Sequence, residues 1–140
     1  MKEKKFTVLV ADNEELVRKM ISKFMKHCYG AICYEAENGK QALAQYKEKR
    51  IDLVISDYNM PDTSTPLSTG MNGLELLHEL LAYDKDACVI IASADKDEIL
   101  PYKAVSEGAK KFLHKPFDMA ELVNALKNIC SKFIDHKEEE

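Results

Sequence analysis

The chain has 140 residues, enough for one domain that buries roughly 70% of the surface its unfolded form exposes. Its 46% hydrophobic and 31% charged residues are the proportions of a soluble globular protein, and a formal charge of −4 argues against the basic stripe of a direct nucleic-acid reader. No apolar stretch is long enough for a signal-peptide core or a membrane span, and Cys28, Cys33, Cys88 and Cys130 lack C-x-x-C or zinc-type spacing, so free buried thiols in a reducing, cytoplasmic setting are expected.

Strand-type and helix-type patterns alternate along the chain. Phe6 to Ala11 reads as a first strand and ends in Asp12-Asn13-Glu14. Leu16, Val17, Met20, Ile21, Phe24, Met25 and Cys28 then recur at helical steps, with Asn13 available as a cap and Gly30 as the stop. Ala31 to Glu35 makes a short second strand, and Asn38-Gly39 opens a helix carrying Ala42, Leu43 and Tyr46 on one side. A third strand runs through Leu53-Val54-Ile55-Ser56 to Asp57. The polar stretch from residue 62 to 69 reads as a loop insertion, followed by a helix marked by Leu74, Leu76, Leu77, Leu80 and Leu81.

Cys88 to Ala92 is uniformly apolar, the signature of a fully buried parallel strand, and Ser93 stands at its end. The stretch from Asp95 to Glu107 is helical in tendency, but Pro101 fits only a first turn, so this helix begins late or is kinked, and Gly108 closes it. Lys110 to His114 forms a fifth strand ending in Lys115-Pro116, and Asp118-Met119-Ala120-Glu121 resembles a capping box before a last amphipathic helix. The acidic segment from Asp135 to Glu140 is expected to be a solvated tail on a single domain spanning residues 1–134.

Five strands alternating with five helices on short connections predict a single doubly wound α/β sandwich with a parallel sheet. Open parallel sheets bind ligands outside the carboxyl ends of their strands. Asp12, Asp57 and Lys115 each stand there, so two acids and an ammonium converge on one edge. Taken singly, either aspartate could be a helix cap and Lys115 a solvated charge beside a turn; three strand ends with matching chemistry make that reading a poor one.

These residues resemble the receiver domain of two-component response regulators. The resemblance runs from Phe6 to about Phe133 and rests on Asp12-Asn13-Glu14, Asp57-x-x-Met60-Pro61, Gly73 with its leucines, Ser93-Ala94 and Lys115-Pro116-Phe117 in that order. It implies a flavodoxin-like, five-stranded sheet of strand order 2-1-3-4-5. It further implies that Asp57 accepts a phosphoryl group from a histidine kinase or phosphotransfer protein. Asp12, Asn13, Asp57 and the Asn59 carbonyl would hold Mg²⁺, an oxygen-rich set suited to a hard cation. By the same resemblance Lys115 pairs with the phosphoryl oxygens after a cis peptide to Pro116, Ser93 supplies the moving hydroxyl, and Phe112 takes the place of an aromatic gate. For Phe112, core packing is an equal reading.

Asn13 departs from the family pattern, which carries a second acid there, and weaker Mg²⁺ binding is expected. A face built on the fourth helix, fifth strand and fifth helix would then bind a downstream protein partner or output domain; homodimerisation through it is common in the family, although Pro101 alters that surface here. Two other classes remain. Asn13 suggests a receiver-like interaction domain that works without phosphorylation. An Mg²⁺-dependent aspartate-nucleophile phosphohydrolase is disfavoured, because it would want an acid where Asn59 stands and a hydroxyl residue where Pro61 stands. No Gly-rich phosphate loop follows the first strand, which disfavours a nucleotide site.

Overall fold

The computed structural model describes residues 5–61, 70–127 and 129, so the predicted 62–69 insertion, the 135–140 tail and Cys130 lie outside the described residues. Five parallel strands form one sheet: β1 (Thr7–Ala11), β2 (Ile32–Ala36), β3 (Leu53–Asp57), β4 (Val89–Ser93) and β5 (Lys111–His114), in the order β2-β1-β3-β4-β5. The helices between and after them are α1 (Glu15–Tyr29), α2 (Gly39–Glu48), α3 (Gly73–Tyr83), α4 (Leu100–Ser106) and α5 (Met119–Lys127). Strand order and alternation are those expected from the sequence.

Alternation of side chains along the strands divides the core into two layers. Val8, Val10, Leu53, Ile55, Ile90 and Ala92 face α1 and α5, where Ile21, Met25, Leu122 and Leu126 meet them. Leu9, Ala11, Val54, Val89 and Ile91 face the other way, against Ala42, Tyr46, Leu76, Leu77, Leu80 and Ala104 of α2, α3 and α4. β3 and β4, buried at every position, are covered on both faces, as all-parallel sheets require.

Local chemistry sets the helix ends. The Asn38 side chain accepts from the Gln41 N–H at 2.9 Å, and Gly30 ends α1 in the left-handed region at φ 62°. Asn72 and Glu75 form a full capping box on α3, while Asp118 accepts from the Glu121 N–H at 2.8 Å. α4 does begin late, with Pro101 in its first turn.

Two features of α1 differ from expectation. Asn13 does not cap it: the N-cap is Glu14, without a side-chain cap bond, and the Asp12 carboxylate instead accepts from the Glu14 N–H at 2.8 Å. Its fully buried positions are Arg18, Ile21, Ser22 and Met25, whereas Leu16 is 85% and Met20 49% exposed. Cys28, Cys33 and Cys88 are partly exposed rather than buried.

Candidate functional site

Register brings the sequence-predicted residues together. Ala11 of β1 pairs with Ser56 of β3, so Asp12 and Asp57 leave neighbouring strands at the same level. Asp57 pairs with Ala92, and Ser93 pairs with His114, which places Lys115 one residue beyond. The Lys115 N–H donates to the Ser93 carbonyl at 2.8 Å. The Lys115–Pro116 peptide is cis. From there the Lys115 ammonium reaches back across the sheet edge, donating to Asp12 Oδ2 at 2.7 Å and lying 3.3 Å from Asp57 Oδ1.

Both acids are buried, Asp12 at 2% and Asp57 at 7% exposure, beneath an open cleft of about 450 Å³ lined among others by Asn13, Glu14, Asn59, Asn72 and Lys115. Burial, then the charge of Asp12, pushes the Asp57 carboxyl up from 3.8 to about 6; Lys115 and a backbone hydrogen bond from Asn59 oppose the rise. Burial works to lower the Lys115 ammonium, yet the bond to Asp12 and the charge of Asp57 outweigh it and leave the pKa raised. The ammonium therefore stays charged and fills the gap between two carboxylates that would otherwise repel.

The loop after β3 is pinned by α3. The Gly73 N–H donates to the Tyr58 carbonyl at 2.7 Å, and a Cβ at Gly73 would lie 2.8 Å from both the Asp57 carbonyl oxygen and Tyr58 Cα. Only glycine lets the helix approach this closely. Asn72, which opens α3, lines the cleft and was not singled out from sequence; its signal was the Asn72-x-x-Glu75 spacing ahead of a leucine-rich run.

Ser93 is buried at the rim of the same edge, where its Oγ accepts from the Asp95 N–H at 2.9 Å. Phe112 is half-buried against the α2–α4 side of the core, with its ring edge-on to His114 at 5.1 Å between centroids. Asn13 and Asn59 are exposed at the cleft surface. Asn13, Asp57, Asn59 and Lys115 thus line one hollow, with Asp12 buried behind it and joined to it through Lys115, Ser93 beside it and Phe112 apart, on the core side of β5.

The family model described as the response regulator receiver domain matches residues 8–127. The chain belongs to that family. Chemotaxis protein CheY of Thermotoga maritima is 31% identical to this receiver domain over 122 residues, which are 87% of this chain and 95% of that protein. CheY of Listeria monocytogenes is 34% identical over 119 residues, covering 85% and 93%. Among solved structures, a receiver domain protein from Clostridium thermocellum gives a TM-score of 0.75 at 27% identity, covering 88% and 92%. A chain of the CheX-CheY-BeF3-Mg²⁺ complex from Borrelia burgdorferi gives 0.69 at 30% identity, with 86% of each covered. The receiver domain is accordingly a member of the two-component and chemotaxis signalling family, and no helix among the described residues is long and apolar enough to cross a membrane.

Proposed function

We propose that this receiver domain takes a phosphoryl group onto Asp57 from a phosphohistidine of a kinase or phosphotransfer protein, and passes the change to a protein partner in the cytoplasm. The observation that carries the reading is the Asp12–Lys115–Asp57 cluster at the sheet edge. In the transfer, an Asp57 carboxylate oxygen attacks phosphorus, the P–N bond to the donor imidazole breaks, and its electron pair returns to the ring nitrogen. An ionised carboxylate needs no general base for this attack.

The obstacle is charge. Two unit charges about 5 Å apart at an effective dielectric near 20 repel by roughly 3 kcal/mol, so an anionic donor entering beside Asp12 and Asp57 requires cations. Lys115 is one, already aimed between the acids. The donors around the cleft fit Mg²⁺ as the other: two buried carboxylates, with the Asn13 amide and the Asn59 backbone carbonyl as neutral oxygen donors. Mg²⁺, when bound, supplies neutralisation of the carboxylate and phosphoryl oxygens. With Asn13 in place of an acid the set is one charge short, and we expect weak affinity; that amide is also what favours the second reading, an interaction domain active without phosphorylation.

Ser93 gives the switch its trigger. To donate to a phosphoryl oxygen its buried hydroxyl would have to turn toward the cleft, and the bond it accepts from the Asp95 N–H couples that turn to the segment that leads into α4. Phe112, with no hydroxyl, would respond through packing alone, altering the α4–β5–α5 face offered to a downstream partner or a second copy. The domain would act on no substrate but itself.

Incubation with a small acyl phosphate and Mg²⁺ tests the proposal by intact mass. One labile phosphoryl adduct, absent from Asp57→Asn, is expected. No adduct at millimolar Mg²⁺ would favour the interaction domain, and sustained turnover of varied phosphate esters would favour a hydrolase.

A further inference from the structure

Arg18 is a charged residue on the inward face of α1, only 8% exposed. A buried guanidinium is costly unless its donors are met and its charge is balanced. Here its Nη1 donates to the Asp12 backbone carbonyl at 2.8 Å, and its Nε lies 3.3 Å from Glu35 Oε1 on β2. Glu35 is itself held by Lys19 at 3.2 Å, and its backbone carbonyl accepts from the Gln45 side chain at 2.7 Å.

Asp12 is consequently tied at every polar group. Its N–H donates to the Ala36 carbonyl at 3.0 Å, its carbonyl accepts from Arg18, Oδ1 accepts from the Glu14 N–H, and Oδ2 accepts from Lys115. The Arg18 bond is the one that fixes the peptide joining Asp12 to Asn13. That corner carries the single neutral side chain in the acidic set, and a weak ligand loses most when its backbone is free to turn.

We infer that Arg18 is a positioning residue for the cation site: it clamps the Asp12–Asn13 peptide in the orientation that turns Asn13 to the cleft, while Glu35 holds the guanidinium and offsets part of the positive charge brought near the site. The inference rests on the reading that Asp12 and Asn13 help to hold Mg²⁺. The partners around a metal ligand commonly govern affinity as strongly as the ligand itself. Lysine cannot replace Arg18, since one ammonium has no fork to hold a carboxylate and a carbonyl at fixed angles.

The test is an Mg²⁺ titration of the full chain followed by ¹H–¹⁵N NMR at the amides of residues 13 and 57–59, with far-UV circular dichroism as the control for folding. Arg18→Met should weaken Mg²⁺ by about 10-fold and broaden or split the Asn13 amide signal, with Arg18→Lys recovering only part. Glu35→Gln, which keeps the arginine and is close to isosteric, should weaken Mg²⁺ by about 3-fold in low salt and less in high salt; by loosening the hold on the guanidinium it should also broaden the Asn13 amide signal, which a mere loss of charge would leave sharp, and that signal decides the matter should Arg18→Met not fold. Folded variants that bind Mg²⁺ as the parent does would overturn the clamp and leave the metal reading standing. A parent chain with no Mg²⁺-dependent shift at those amides would overturn both.

Discussion

Replacing Asp57 by asparagine should stabilise the fold. The buried carboxyl titrates near 6 in the native state against 3.8 as its ordinary value, so folding favours its protonated form. The stability it contributes is fully present below about pH 4 and is lost as pH rises through about 6. A difference of about 2 units corresponds to about 3 kcal/mol of penalty above pH 6. Water reaching the carboxylate through the cleft lowers this, and about 1 to 3 kcal/mol is the expected gain for Asp57→Asn at pH 7.5, because the amide keeps the shape and removes the charge. Urea unfolding of both proteins at pH 4, 5, 6 and 7.5 without divalent cations measures it. The gain should shrink to near zero at pH 4, and saturating Mg²⁺ should close the gap from the other side by stabilising the parent. A variant no more stable than the parent at pH 7.5, or a gain that does not change with pH, would refute the reasoning.

Lys115→Met leaves two buried carboxylates facing each other; it should cost about 2 kcal/mol at pH 7.5, less as acid protonates the pair, and slow phosphoryl transfer at least about 10-fold, read by urea unfolding and by adduct formation over time. Gly73→Ala drives a methyl group into the backbone of Asp57 and Tyr58, and should lower stability by about 1 to 3 kcal/mol in thermal unfolding while disturbing the Tyr58 and Asn59 amide signals. Asn13→Asp restores a charge to the hollow and should tighten Mg²⁺ by about 10-fold in calorimetric titration; unchanged affinity would show that the side chain at 13 does not face the ion.

Much of the architecture was legible because the chain separates its signals. Strand-type runs end in Asp12, Asp57, Ser93 and Lys115, and a parallel sheet collects such ends on one edge. Pro101 announced the late start of α4 because proline is tolerated only in a first turn. What stayed hidden depended on tertiary geometry. Apolar residues cover so wide an arc of α1 that periodicity could not say which stripe faces inward, and Leu16 and Met20 lie outside while Arg18 lies within. The burial of Arg18 needs Glu35, seventeen residues away on another element, to balance it. Asn13 looked like a cap because Asn often is one, but Asp12, one residue earlier, takes the Glu14 N–H instead. The close docking of α3 on the Asp57 loop is invisible until register sets Gly73 against Tyr58.

The phosphoryl group is expected on a carboxylate oxygen of Asp57. Treating the chain with a small acyl phosphate and Mg²⁺, trapping with borohydride, and mapping the digest by mass spectrometry locates the acyl phosphate, since reduction converts a phosphorylated aspartate to homoserine. Homoserine at position 57 and at no other acid is the expected result. Label at Asp12, at a hydroxyl of another residue, or at no position while Mg²⁺ demonstrably binds, would contradict the account.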